Sequence, residues 1–179
     1  MTTTTTLPTV QEQAERLIEL GLAERAGIAP ETLRQIVGEP GDLLVIQADR
    51  LPPSVMTGFL SRQGKPGFVV EDMTDVDSFT PIPETTVPGS DVYLVSGLER
   101  GDEMSNWTPD EALPSILGAE RTPLTLAEGM HWLIQQPEVL ERNRCFMTIA
   151  SRLRKPNGRL DARTPALWIS NGTGRDGAV

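Results

Sequence analysis

The sequence predicts an α+β fold: one domain in which a mixed β-sheet is covered by helices, ending in an antiparallel β-hairpin. Three observations predict it. Thr9-Val-Gln-Glu12, Thr108-Pro-Asp-Glu111 and Thr125-Leu-Ala-Glu128 all match a capping box. In that motif the Thr hydroxyl accepts from the N3 amide and the Glu reaches back to the N-cap amide. Around these helix starts lie β-branched and apolar runs bounded by turn residues, the mark of strands. Asn157-Gly158 then sits between two strand-like runs, a strong hairpin signal. A chain of 179 residues, 38% hydrophobic and 23% charged, has the size and composition of one globular domain.

Taken in order, Val10, Ala14, Leu17, Ile18 and Leu22 form one apolar stripe at helical spacing. Pro30 opens a short helix through Leu33, Ile36 and Val37, which Gly38-Glu-Pro40 stops. Strands are expected over 43–47, 67–71, 92–96, 145–153 and 162–170. A helix over 53–62 would join the first two and is long enough for a right-handed crossover. Segment 74–90 holds three prolines and little periodicity, which reads as loop. Helices follow over 108–119 and 125–136, then a short one after Pro137. Pro109 and Asp110 suit a first turn, by fixed φ and by favourable charge on the helix dipole. Residues 1–8 are expected as a flexible Thr-rich tail, 9–170 as the globular domain and 171–179 as a flexible Gly-rich tail.

Charge and composition narrow the function. A pI near 4.6 opposes DNA and anionic-membrane binding through long-range repulsion. The single Cys145 rules out an internal disulfide, and with one His no two-Cys, two-His zinc cage can form. The start of the chain lacks the basic and apolar runs of a signal peptide. The longest apolar run, Leu43 to Ile46, is far short of the ~20 residues of a membrane helix. A soluble cytoplasmic protein with no metal and no cofactor is the expectation.

Several motifs imitate chemistry. Gly172-Thr-Gly174-Arg-Asp-Gly177 matches a dinucleotide fingerprint, but neither the helix nor the later acid that such a fold needs appears before Val179. Gly58 to Lys65 has one residue too many for a phosphate-binding loop, and Pro66 stands where Ser or Thr would bind magnesium. The acids from Glu71 to Asp77 lack the spacing of a calcium loop and read as a solvated turn capped by Asp75 or Asp77. His131 and Cys145 are the only candidates for nucleophilic catalysis. The sequence favours a packed His131 inside its helix and an inert Cys145 at the start of a buried strand.

The sharpest feature is a basic island. Seven of the sixteen basic residues lie between Arg142 and Arg163 with one acid, Asp161, so the stretch carries +6 in a chain of −9. With a two-residue Asn157-Gly158 loop, Arg152 faces Arg163, Arg154 faces Asp161, Ile149 faces Ala166 and Met147 faces Trp168. Cys145, Met147, Ile149 and Leu153 then share the core face with Trp168. Arg144, Arg152 and Arg163 share the other with Phe146, Thr148, Leu167 and Ile169. Facing like charges destabilise a hairpin unless an anion lies between them, and the planar Arg fork suits carboxylate or phosphate. The anion is either a carboxylate of this acidic chain, within one copy or across a dimer, or an external ligand: a small anionic molecule or, less readily, RNA.

The segments Arg142-Asn-Arg-Cys-Phe-Met-Thr-Ile, Pro165-Ala-Leu-Trp-Ile-Ser and Gly64-Lys-Pro-Gly-Phe-Val-Val resemble an uncharacterised actinobacterial family with a domain-of-unknown-function label. Gly101-Asp-Glu-Met-Ser-Asn-Trp-Thr-Pro and Arg121-Thr-Pro-Leu-Thr are similar to it too, so the resemblance covers most of the chain. It implies an origin and no activity. It also implies that the family's usual C-terminal segment bearing Trp, Cys and His is absent here. Two functions follow as expectations. One is recognition of an anionic metabolite, with or without catalysis on it, through Arg144, Arg152 and Arg163, helped by Lys65 and Arg100. The other is a non-enzymatic adaptor or assembly role, in which the island binds an acidic partner or a second copy.

Overall fold

A computed structural model describes residues 6–170. All three capping boxes form. Thr9, Thr108 and Thr125 each accept from the N3 amide, and Glu12, Glu111 and Glu128 reach back to the N-cap. They open α1 (Val10–Glu19), α5 (Pro109–Gly118) and α6 (Leu126–Gln135). Short helices α2 (Leu22–Arg25) and α3 (Pro30–Gln35) fold back on α1, and α4 (Pro53–Thr57) packs on α6. The fold is α+β. No helix of the described residues is long and apolar enough to cross a membrane.

The centre is an antiparallel pair, β1 (Leu43–Ile46) and β5 (Val92–Val95), with Leu44 opposite Leu94 and Val45 opposite Tyr93. Every residue of β1 and α6 is buried, and the two pack together. In place of the expected mixed sheet, the described strands form four separate two-stranded antiparallel pairs. The reason lies at the free edge of β1, where unpaired amides would invite another strand. There Gln13 Oε1 accepts from Leu44 N at 2.9 Å, and Gln13 Nε2 donates to Asp42 O at 2.7 Å. His131 Nε2 accepts from Ile46 N at 3.1 Å. Side chains of α1 and α6 thus do the hydrogen bonding a third strand would do.

The crossover expected through a helix over 53–62 is also absent among the described residues. The helix ends at Thr57, and β2 (Ser61–Arg62) turns back onto β3 (Lys65–Pro66). Gln63 and Gly64 both have positive φ, the pair of conformations a tight two-residue hairpin demands. Residues 67–70 are irregular, and 3-10 turns occupy Glu71–Met73 and Val76–Ser78. Asp77 Oδ1 accepts from Ser54 N at 2.8 Å, so the acidic run braces the start of α4.

At the C-terminal hairpin the chain is antiparallel, with a different register. β6 (Phe146–Met147) pairs β8 (Ala166–Leu167) as Phe146 opposite Leu167, and Arg154 bridges Leu160. Arg154 therefore does not face Asp161, nor Met147 Trp168. Gly158 N donates to Lys155 O, Lys155 N donates to Arg159 O, and Gly158 has φ +80. The loop is a three-residue turn with a glycine bulge, because Pro156 suits position i+1 of such a turn and cannot serve the strand beside a tighter one. A second break falls at Thr148, whose carbonyl accepts from Ser151 N. Beyond it β7 (Ser151–Arg152) leaves the hairpin for β4 (Thr80–Pro81), placing Arg152 opposite Thr80 and not Arg163.

The faces are exchanged as well. Phe146, Thr148, Leu167 and Ile169 are buried, whereas Met147 is 45% exposed and Cys145 is exposed. The position of α6 decides this. It lies on the Phe146 face through Gly129, where a Cβ would come within 2.7 Å of Thr148 and 2.8 Å of Leu167. Trp132 adds a tilted ring contact to Phe146, with centroids 5.6 Å apart. The Gly172–Gly177 motif, Asn171 and the 171–179 tail lie outside the described residues, as do the first five residues of the Thr-rich tail.

Candidate ligand-binding cleft

A cleft of about 900 Å³ opens between the loop that follows β5, one side of α5 and the start of β6. Its loop is built by arginines acting structurally. Arg100, 9% exposed, donates to Val139 O at 2.7 Å and Asp102 Oδ1 at 2.8 Å, with Glu141 3.4 Å away. Arg121 donates to Gly97 O and pairs with Glu99, while Gly97 N donates to Asp42 Oδ2. Apolar side chains line the same space: Met104, Ile116 and Leu124, with Trp107 44% and Met147 45% exposed. Its charged lining is five acids, Glu99, Asp102, Glu103, Glu120 and Glu128, against Arg100, Arg121 and Arg144.

The arginines singled out by sequence occupy two places. Arg144 stands on the cleft, 61% exposed, with Asp102 at 3.5 Å and Glu141 at 3.7 Å. Arg152 and Arg163 meet elsewhere, around Asp161. Arg152 Nη2 donates to the Asp161 carbonyl at 3.0 Å, while its buried Nε has no partner among the described residues. Arg163 forks onto Asp75 at 2.8 and 2.9 Å, bonds Asp161 Oδ1 at 3.0 Å and lies over the Phe79 ring. Hydrogen bonds from Arg163 hold the Asp161 carboxyl down at about 2, and the Asp75 carboxyl below its ordinary value. Arg163 is met by the protein's own carboxylates, and Arg152 by a backbone carbonyl. Lys65 lies in β3, and Arg100 serves the cleft wall as described.

His131 and Cys145 are also separated by role. His131 is wholly buried; Nδ1 bonds the Ala127 carbonyl at 2.8 Å, so the proton sits there and Nε2 accepts from Ile46. Burial pushes its pKa down to about 4, so the ring is neutral. Cys145 is exposed on the cleft, where a buried strand start was expected. Among the described residues no cluster of His, Cys, Asp and Glu could hold a metal ion.

Sequence reasoning missed Glu128. It lines the cleft yet is 7% exposed, its Oε1 accepting from Tyr93 Oη and its Oε2 from Thr125 N. Burial raises its pKa, and that of Tyr93 as well. Periodicity hides it: Glu128, His131 and Gln135 fall at i, i+3 and i+7, a polar stripe that reads as solvent-facing until the helix is packed on every side.

A family model matches residues 16–179, nearly the whole chain. The protein belongs to the family of unknown function DUF5701. No curated protein and no solved structure matches it. For this DUF5701 member the chemistry of its cleft must therefore be read from its own residues.

Proposed function

We propose that the cleft recognises a small molecule with one anionic group and an apolar body. Arg144 carries this reading. It is the most exposed arginine of the cleft, and its 3.5 and 3.7 Å contacts are looser than the 2.8 Å pair of Arg100 with Asp102. A carboxylate or phosphate arriving there can take up a guanidinium fork that its own neighbours leave largely unused. Trp107, Met104 and Met147 offer the apolar wall that small-molecule sites require. The excess of acids over arginines in the lining disfavours a polyanion such as a nucleoside triphosphate. Arg152 and Arg163 belong to the fold in this reading.

The test is titration calorimetry with inorganic phosphate, straight-chain alkyl phosphates and alkyl carboxylates. Saturable binding that strengthens with chain length is expected, weakened at least about tenfold by Arg144→Ala and unchanged by Arg154→Ala. If none binds and the protein forms a salt-sensitive dimer, the adaptor role replaces this one, with Trp107 and Met147 facing the second copy.

A further inference from the structure

Glu128 sets a condition on what the cleft takes. Its carboxylate is withdrawn from water yet still borders the cleft. Three donors act on it, the Tyr93 hydroxyl and the Thr125 amide and hydroxyl, and all are neutral. A carboxylate offers about four acceptor sites, so one is left for a ligand. Among the described residues the influences on its ionisation are burial, Thr125 and Tyr93, with no cation among them. The other two capping-box carboxylates, Glu12 and Glu111, are exposed to solvent and need no such compensation. The lining carries more acid than arginine, so an occupant bringing only negative charge would worsen the local balance. One that brings a cation as well would correct it.

Resting on the cleft being a ligand site, we infer that its ligand is zwitterionic: an anionic group at Arg144 and a protonated amine at Glu128, joined by an apolar spacer along Met104 and Ile116. The ammonium supplies the charged donor that Glu128 lacks, and it is held by a carboxylate shielded from bulk water, where such a bond is strongest. Arg144 at the mouth and Glu128 in the wall would fix the two ends of the molecule and hence its orientation.

The experiment compares a homologous series of straight-chain ω-amino acids with alkyl carboxylates and dicarboxylates of the same lengths, by titration calorimetry on the full chain. At one best length the amino acid is expected to bind at least about tenfold tighter than the matched alkyl carboxylate, and the dicarboxylate more weakly than either. Glu128→Gln retains the capping geometry, since Glu and Gln both serve at N3. It is expected to erase the amine's advantage, so that the amino acid binds no tighter than the matched alkyl carboxylate. Equal binding of amino acids and alkyl carboxylates by the wild-type protein would overturn the zwitterion while the anion-binding cleft stands. An amine preference that survives Glu128→Gln overturns the assignment to Glu128. If neither these three series nor the alkyl phosphates bind, the cleft reading itself falls. The wild-type comparison decides the ligand class even if the variant fails to fold.

Discussion

Two side chains, Gln13 and His131, close the open edge of β1, and each is fully buried. A buried strand amide without an acceptor costs about 1–3 kcal/mol, so both are structural in the strict sense. His131 makes this dependence visible through pH. Its folded pKa of about 4 lies below the ordinary 6.5, so between these values the unfolded chain binds more protons. The stabilisation is complete above about pH 6.5 and falls as pH drops toward 4, by on the order of 3 kcal/mol. Glu128 runs the other way: its raised pKa gives stability present below the ordinary 4.5 and lost as pH rises through the folded value. The two separate in His131→Gln, whose amide can replace both hydrogen bonds without titrating. Between about pH 7.5 and pH 5 the urea midpoint of the wild type should fall more than that of the variant. Parallel falls would show that His131 is not held neutral.

At the scale of elements, the contact of α6 with the β6–β8 pair hinges on Gly129. Alanine there gains helix propensity, about 1 kcal/mol. Its Cβ, however, would come within 2.7 Å of Thr148 Cγ2 and 2.8 Å of Leu167 Cδ1, both on side chains no more than 1% exposed. Overpacking of that kind costs about 1–3 kcal/mol, so steric loss wins. Gly129→Ala should lower stability by about 1 kcal/mol in denaturant titration; a rise would mean that β6 and β8 yield easily. The same surface explains the exchanged hairpin faces. Both faces of 145–148 and 166–169 carry apolar residues, so alternation leaves the choice open, and the helix that fits one of them makes it.

Across the whole molecule, Arg163 ties segments far apart in sequence, reaching Asp75 and the Asp72 carbonyl as well as Asp161. The lowered carboxyl pKa values of Asp75 and Asp161 mean that the tie is fully present above the ordinary 3.8 and lost only as pH falls through the folded values. At neutral pH, Arg163→Ala should speed hydrogen exchange over 71–79 and leave the cleft loop 96–107 unchanged. Arg154→Ala, whose guanidinium meets only the Gly158 carbonyl among the described contacts, should alter neither. If the cleft loop responds to Arg163→Ala, the two arginine clusters are coupled and the separation of fold from site fails.

Local chemistry was legible in the sequence wherever a residue's partner lies within a few positions. The capping boxes at Thr9, Thr108 and Thr125, the strands at Leu43–Ile46 and Val92–Val95, and the hairpin reversal at Gly158 all appear where expected. Pro156 could have warned of the wider turn, since it cannot donate in a strand. Fold class and the basic island's excess charge were sequence properties too. What answers that charge was not, because Asp75 is 88 residues from Arg163, and charge counting carries no distance. Nor could periodicity show that Gln13 and His131 would occupy the edge of β1 and keep a third strand from it. The cleft, the withdrawn Glu128 beside it and the loosely held Arg144 exist only once α5, α6 and β6 are packed. Helix caps and turns are written in neighbouring residues, whereas edges, faces and cavities arise where distant elements meet.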